Sequence, residues 1–184
     1  TFTVTVRDTT PPSLTAPPDV TVEQADAAGT AVSFALPTAT DSVDPAPRVT
    51  CTHAPGDRFP LGATTVTCTA TDAAGNDTTA TFTVTVVDTT PPDLAALPDL
   101  TVEATAAGGA TVTFAAPTAT DVCDAAPAVA CTPASGELFA VGATTVTCTA
   151  TDASGNQATR TFTVTVIDTT PPTLERPVDI VVEQ

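Results

Sequence analysis

TTVTCTATD (Thr64–Asp72) and TFTVTV (Thr81–Val86) alternate with a period of two. In the first, Val66, Cys68 and Ala70 are set against Thr65, Thr67, Thr69 and Thr71; in the second, Phe82, Val84 and Val86 are set against threonines. Such alternation sends one set of side chains to each face of a β-strand and excludes an amphipathic helix. Threonine suits the solvated face, because its β-branch fits the pleat and its hydroxyl tolerates water. Both strings recur. TFTVTV begins at Thr1, Thr81 and Thr161, and DTTPP at Asp8, Asp88 and Asp168. Residues 8–87 lie over 88–167 without a gap, with about 52 of the 80 positions identical. A repeat of this kind is the first thing to read, since it sets the architecture.

Working outward within one repeat, further strands are expected at Val20–Gln24, Ala31–Ala35 and Arg48–Thr52, each bounded by Pro, Gly or Asp turn signals. No segment offers a capped helix of period 3.6. Several short strands in 80 residues, with Phe34, Phe59 and Phe82 supplying bulk, give an all-β chain of tandem immunoglobulin-like antiparallel β-sandwiches. The expected organisation is 1–7 as the last strand of a preceding repeat, 8–87 and 88–167 as complete domains, and 168–184 as the start of a following repeat. Read this way, the chain is a slice of a longer array. DTTPP is the natural linker, because paired prolines lack N–H donors and stiffen an extended segment.

Composition bounds the function. The 184 residues are 42% hydrophobic and 4% aromatic, and their formal net charge is -16. The charge comes less from the 21 acids than from scarce base: five arginines and no lysine. A nucleic acid or an anionic membrane requires a cationic face, and none can be assembled here. No apolar run approaches the roughly 18 residues that would span a bilayer, so no direct membrane insertion is expected in this segment.

The strings DTTPPSLTAPPDVTVE (Asp8–Glu23), PTATD (Pro37–Asp41), VTCT (Val49–Thr52), FPLGATTVTCTATDAAGN (Phe59–Asn76) and TFTVTVVD (Thr81–Asp88) resemble the hyalin repeat, or HYR, domain family. The resemblance covers essentially the whole chain. It implies an immunoglobulin-like extracellular module, commonly in tandem and associated with adhesion, and it carries over no enzyme activity. It is specific for fold and poorly specific for function, because one module serves many contexts.

Cys51 and Cys68 recur as Cys131 and Cys148, while Cys123 stands where the first repeat has Val43. On neighbouring strands with outward threonines, the matched pairs read either as disulfides Cys51–Cys68 and Cys131–Cys148 or as buried thiols. The disulfide reading is preferred, since a small sandwich poor in aromatics gains from a staple worth ~2–4 kcal/mol, and it places the chain outside the cytosol. Cys123 is left as an unpaired cysteine with three readings: an intermolecular bridge, an alternative partner for Cys131 or Cys148, or a free thiol. Zinc is not expected, because no CxxC occurs and the lone His53 is Pro133 one repeat on.

Seventeen of the 21 acids recur in register. Sandwich topology brings Asp88, Asp121, Asp124, Asp152 and Asn156 to one pole, with Glu23 facing them, and gathers Asp8, Asp41, Asp44, Asp72 and Asn76 at the equivalent first junction. Two readings compete. Hard cations such as Ca²⁺ take six to eight oxygen ligands, so calcium at the module junctions is one. Ordinary turn chemistry is the other, since Asp and Asn favour turns without any ion.

Catalysis is not expected: His53 has no counterpart in the second repeat, and nothing suggests a groove around the acids. Asn76-Asp77-Thr78 forms a glycosylation sequon that Asn156-Gln157-Ala158 does not. The functional expectation is a structural or adhesive segment of an extracellular, secreted or cell-surface repeat protein, a stalk or filament. Its partners are neighbouring repeats and other copies joined by strand addition through residues 1–6 or 168–184. The alternative is a ligand- or carbohydrate-binding accessory module, which the lack of Trp and Tyr disfavours.

Overall fold

The computed structural model describes residues 1–175. Residues 176–184, with Asp179 and Glu183 of the recurring acids and most of the expected opening of a following repeat, lie outside the described residues. Two compact units are present. The first comprises Thr1–Pro92 with Thr120–Pro127 and Asp152–Asn156; the second holds Asp93–Ala119, Ala128–Thr151 and the chain from Gln157 on.

The first repeat runs β1 (Ser13–Thr15), β2 (Val20–Glu23), β3 (Thr30–Ala31), β4 (Thr38–Thr40), β5 (Arg48–Cys51), β6 (Arg58–Phe59), β7 (Gly62–Thr71) and β8 (Asp77–Val87). Its main sheet has the order β2-β8-β7-β5, and β1–β4 and β3–β6 form two-stranded ladders. The second repeat follows the same plan with β9 (Asp93–Leu94), β10 (Leu100–Glu103), β11 (Ala110–Thr111), β12 (Ala119–Thr120), β13 (Ala128–Thr132), β14 (Leu138–Phe139), β15 (Gly142–Thr151) and β16 (Gln157–Ile167). There the main sheet is β10-β16-β15-β13, with ladders β9–β12 and β11–β14.

Alternation does what the sequence requires of it. Val66, Cys68, Ala70, Phe82, Val84 and Val86 are buried, and so are Val146, Cys148, Ala150, Phe162, Val164 and Val166. Each fully buried valine contributes about 1.5–3 kcal/mol relative to an exposed one. Val32 and Phe59 join the first core, which Phe34 closes edge-on to Phe82 at a centroid distance of 4.9 Å. Phe114 meets Phe162 at 5.1 Å in the second. One glycine per repeat is dictated by close approach. Gly29 and Gly109 have positive φ, and a Cβ on either would land on the carbonyl oxygen of Phe59 or Phe139.

Four details differ from expectation. The sheets are not wholly antiparallel: β2 runs parallel to β8 and β10 parallel to β16. The strand expected at Ala31–Ala35 stops at Ala31, since its partner β6 is only two residues long. Val32 then bonds the adjoining turn, through Asp57 O at 3.0 Å and Gly56 N at 2.8 Å. Strands β1, β4 and β6 are too short for alternation to reveal. Finally, residues 1–7 carry no strand, and Phe2, Val4 and Val6 are exposed, because no neighbouring strand pairs with them among the described residues.

Candidate functional site

Both matched cysteine pairs are disulfides. Cys51 on β5 lies directly opposite Cys68 on β7, and Cys131 on β13 opposite Cys148 on β15, each with Cα atoms 4.0 Å apart. Register alone therefore aligns them. Cys123 is free and half-buried, and its thiol donates to the Gln24 carbonyl at 3.7 Å within the first compact unit. Desolvation pushes this thiol above its ordinary pKa, and the carboxylates of Asp88, Asp121, Glu23 and Asp26 add to the shift. A thiolate is the reactive form, so the site suppresses nucleophilic chemistry at Cys123.

The loops are built on aspartates. Between β7 and β8, DAAGN closes through Asp72 N–H to Asn76 O at 3.1 Å and Gly75 N–H to Asp72 O at 3.2 Å. The buried Asp72 carboxylate takes the Asn76 N–H at 2.8 Å and the Asn76 side-chain amide at 2.7 Å. Asp152 and Asn156 repeat the arrangement at 2.8 and 2.9 Å. Desolvation opposes the charge on Asp72 and Asp152, but the Asn amide and the loop N–H groups more than offset it, so both carboxyls sit below the usual range. The Asn76 amide nitrogen also reaches the carbonyls of Asp8 and Thr10 at 3.4 Å. The nitrogen a glycan would need is therefore already engaged.

The same chemistry accounts for most of the other recurring acids among the described residues. Asp41 accepts N–H groups from Val43 and Asp44; Asp44 accepts those of Ala46 and Ala73; Asp8 accepts that of Thr10. Asp57 takes the Ala54 N–H, and Asp19 the Thr83 N–H at 2.6 Å on the edge of β8. Asp88, Asp99, Asp121 and Asp124 do likewise in the second repeat. Glu23 and Glu103 hold the threonines that follow each repeat, and the N–H of Thr89 or Thr169 is the main reason both carboxyls lie below the ordinary glutamate range.

Among the described residues, two clusters could offer ligands to a metal. Asp8, Asp41 and Asp72 present one carboxylate oxygen each within 4.8 Å of one another, and Asp88, Asp121 and Cys123 do the same with two oxygens and a sulfur. Asp44, Asp124, Asp152, Asn76, Asn156 and Glu23 are not in these groups; their side chains serve the loop and linker bonds above. Ser154 was not legible as a participant, yet its hydroxyl donates to Asp88 at 2.8 Å. Separately, an apolar hollow of about 200 Å³ in the second unit is lined by Leu97, Pro98, Leu100, Thr113, Phe114, Ala115 and Phe162, none of them charged.

This arrangement of stapled sandwiches with aspartate-built loops defines a class of repeating β-module, and comparison with known proteins specifies it. The HYR domain family model matches residues 7–86 and 87–166, and the chain belongs to the HYR domain family. It is 44% identical to hyalin of Lytechinus variegatus over 188 aligned residues, covering 96% of this chain and 36% of that protein. Against hyalin of Strongylocentrotus purpuratus it is 44% identical over 183 residues, covering 94% of this chain and 15% of that protein. The chain thus spans about a third or less of the length of these relatives. Among solved structures, Sidekick-1 immunoglobulin domains 1–4 align with a TM-score of 0.42 and 16% identity, covering 85% of this chain and 49% of that one. Drosophila N-cadherin EC1-4 aligns at 0.41 and 14%, covering 86% and 50%.

Proposed function

We propose that this chain is a structural and adhesive segment of an extracellular repeat protein, a stalk or filament shaft made of HYR domains in tandem. The observation that carries the reading is the 44% identity to two hyalins along nearly the whole chain. Two disulfides suit an oxidising exterior. The mechanism is geometric: rigid modules with self-satisfied loops are strung on short diproline segments, so reach grows with repeat number without redesign of any module. The partners are neighbouring repeats and the surfaces the array adheres to. Negative-stain imaging of the intact protein tests the shaft, with a beaded thread expected; a compact particle would overturn it. Beads coated with the 184-residue chain test adhesion, and beads that stay dispersed would overturn that part.

Calcium is a separate proposal, and the residues do not fit it equally in both places. Three converging carboxylates at Asp8, Asp41 and Asp72 suit a hard cation, although they supply only part of the six to eight oxygens it takes. At Asp88, Asp121 and Cys123, a protonated thiol stands in place of an oxygen. We propose that only the first cluster responds to calcium.

A further inference from the structure

We propose that Glu23 and Glu103 are linker-positioning residues, each holding the two threonines of the following Asp-Thr-Thr-Pro-Pro segment in one conformation against the end of its own repeat. The contacts are independent of what the array binds, so this proposal and the adhesive reading fail separately.

The geometry occurs twice. Glu23 Oε1 accepts the Thr89 N–H at 2.7 Å and the Thr90 hydroxyl at 3.2 Å, and Oε2 accepts the Thr89 hydroxyl at 3.0 Å. Glu103 accepts the Thr169 N–H at 2.6 Å, the Thr170 hydroxyl at 3.3 Å and the Thr169 hydroxyl at 3.0 Å, with the same oxygens in the same roles. Three donors from two residues thus converge on one carboxylate, and charge-assisted bonds of this kind are stronger than neutral ones.

Backbone register explains the reach. In the parallel pair β2–β8, Glu23 stands opposite Val87; in β10–β16, Glu103 stands opposite Ile167. The next N–H groups, of Gln24 and Ala104, bond the Val87 and Ile167 carbonyls at 2.7 Å. Parallel strands run out at the same end of a sheet. A side chain at the end of β2 therefore stands beside the chain as it leaves β8, which an antiparallel partner would not arrange. Aspartate would be one methylene short, and valines at 89 and 90 would remove two of the three donors. Beyond the threonines, Pro91 and Pro92 have fixed φ and no N–H, so the segment keeps few free torsions once its start is held.

Residue-resolved amide exchange on the whole 184-residue chain, at neutral pH with calcium and with EDTA, tests this. Glu23→Ala is expected to speed exchange of the Thr89 N–H by about tenfold or more while leaving Thr169 and the core amide of Val84 unchanged. Glu103→Ala should do the reverse. Glu23→Gln, which keeps one acceptor oxygen, should fall between wild type and Glu23→Ala, as should Thr89→Val with Thr90→Val measured at the remaining N–H. Unchanged Thr89 exchange in Glu23→Ala would overturn the proposal. An effect seen only when calcium is present would also overturn it, because Glu23 would then be acting as a metal ligand.

Discussion

The first and second repeats share their strand plan, core valines, disulfide register and aspartate loops, and they differ mainly at isolated positions on loops and edges. Where the first repeat has Val43, the second has the free Cys123. Where the first pairs Arg58 on β6 with Asp26, the second has Leu138 and Ala106, so both members of the ion pair are missing together. His53, tilted against Phe59 at 4.9 Å, becomes Pro133. The lesson is a division of labour. Most residues that fill the core or build the loops between the long strands are the same in both copies, while the exposed ion pair is not; among the acids that accept loop N–H groups, Asp26 and Asp57 are exceptions, standing as Ala106 and Glu137 in the second repeat.

The strongest way to break that equivalence is to remove the shared staple. Replacing Cys51 and Cys68 by alanine, or Cys131 and Cys148, should destabilise its repeat by about 2–5 kcal/mol in either case, lowering Tm by ten degrees or more in a thermal melt. A large inequality between the repeats would mean that the cores are less alike than their residues. Next come Gly29→Ala and Gly109→Ala, each forcing a Cβ onto a carbonyl oxygen at positive φ. A loss of about 2–4 kcal/mol is expected in denaturant unfolding, again alike in both repeats.

Acid should act on both copies in parallel. Asp72, Asp152, Glu23 and Glu103 have depressed pKa values in the folded chain, so their contribution is fully present above the unfolded carboxyl range of about 4 and is lost as pH falls through the lower folded values. Melting temperature should therefore be flat near neutrality and drop below about pH 4. Asp72→Asn or Asp152→Asn should weaken that drop, and an unchanged acid profile would show these loops to be irrelevant to it. The ion pair is expected to matter less: Asp26→Ala with Arg58→Leu, which copies the second repeat, should shift Tm by under about 4 °C, because exposed pairs contribute little. The smallest effect, and the sharpest contrast, is calcium. Excess calcium over EDTA should raise Tm slightly, and Asp41→Asn should abolish the rise while Asp121→Asn leaves it; equal loss from both substitutions would show that Cys123 does not distinguish the two poles.

How much of this was legible follows from the length of each signal. Six or more alternating residues reveal β7, β8, β15 and β16, and Cys68 and Cys148 on them align with Cys51 and Cys131 once the strands are neighbours. Strands of two or three residues such as β6 and β1 have no period to read. The recurrence of the acids was visible in the sequence. Their purpose was not, because an aspartate that accepts a loop N–H and one that awaits a cation are the same letter at the same spacing. Glu23 is the plainest example: its carboxylate is committed to Thr89 and Thr90, 66 and 67 positions along the chain, and only the parallel register brings them together.

That parallel register bears on how a module responds to tension. β2 lies near the start of the repeat and β8 ends it, so a pull along the chain draws the two in opposite directions along their shared ladder. Their bonds are loaded side by side in shear, and must fail together, where a hairpin pulled from its open end would peel one bond at a time. The Cys51–Cys68 bridge then caps what can be paid out, because the chain between its two ends, 17 positions apart, cannot lengthen even after the sheet has parted.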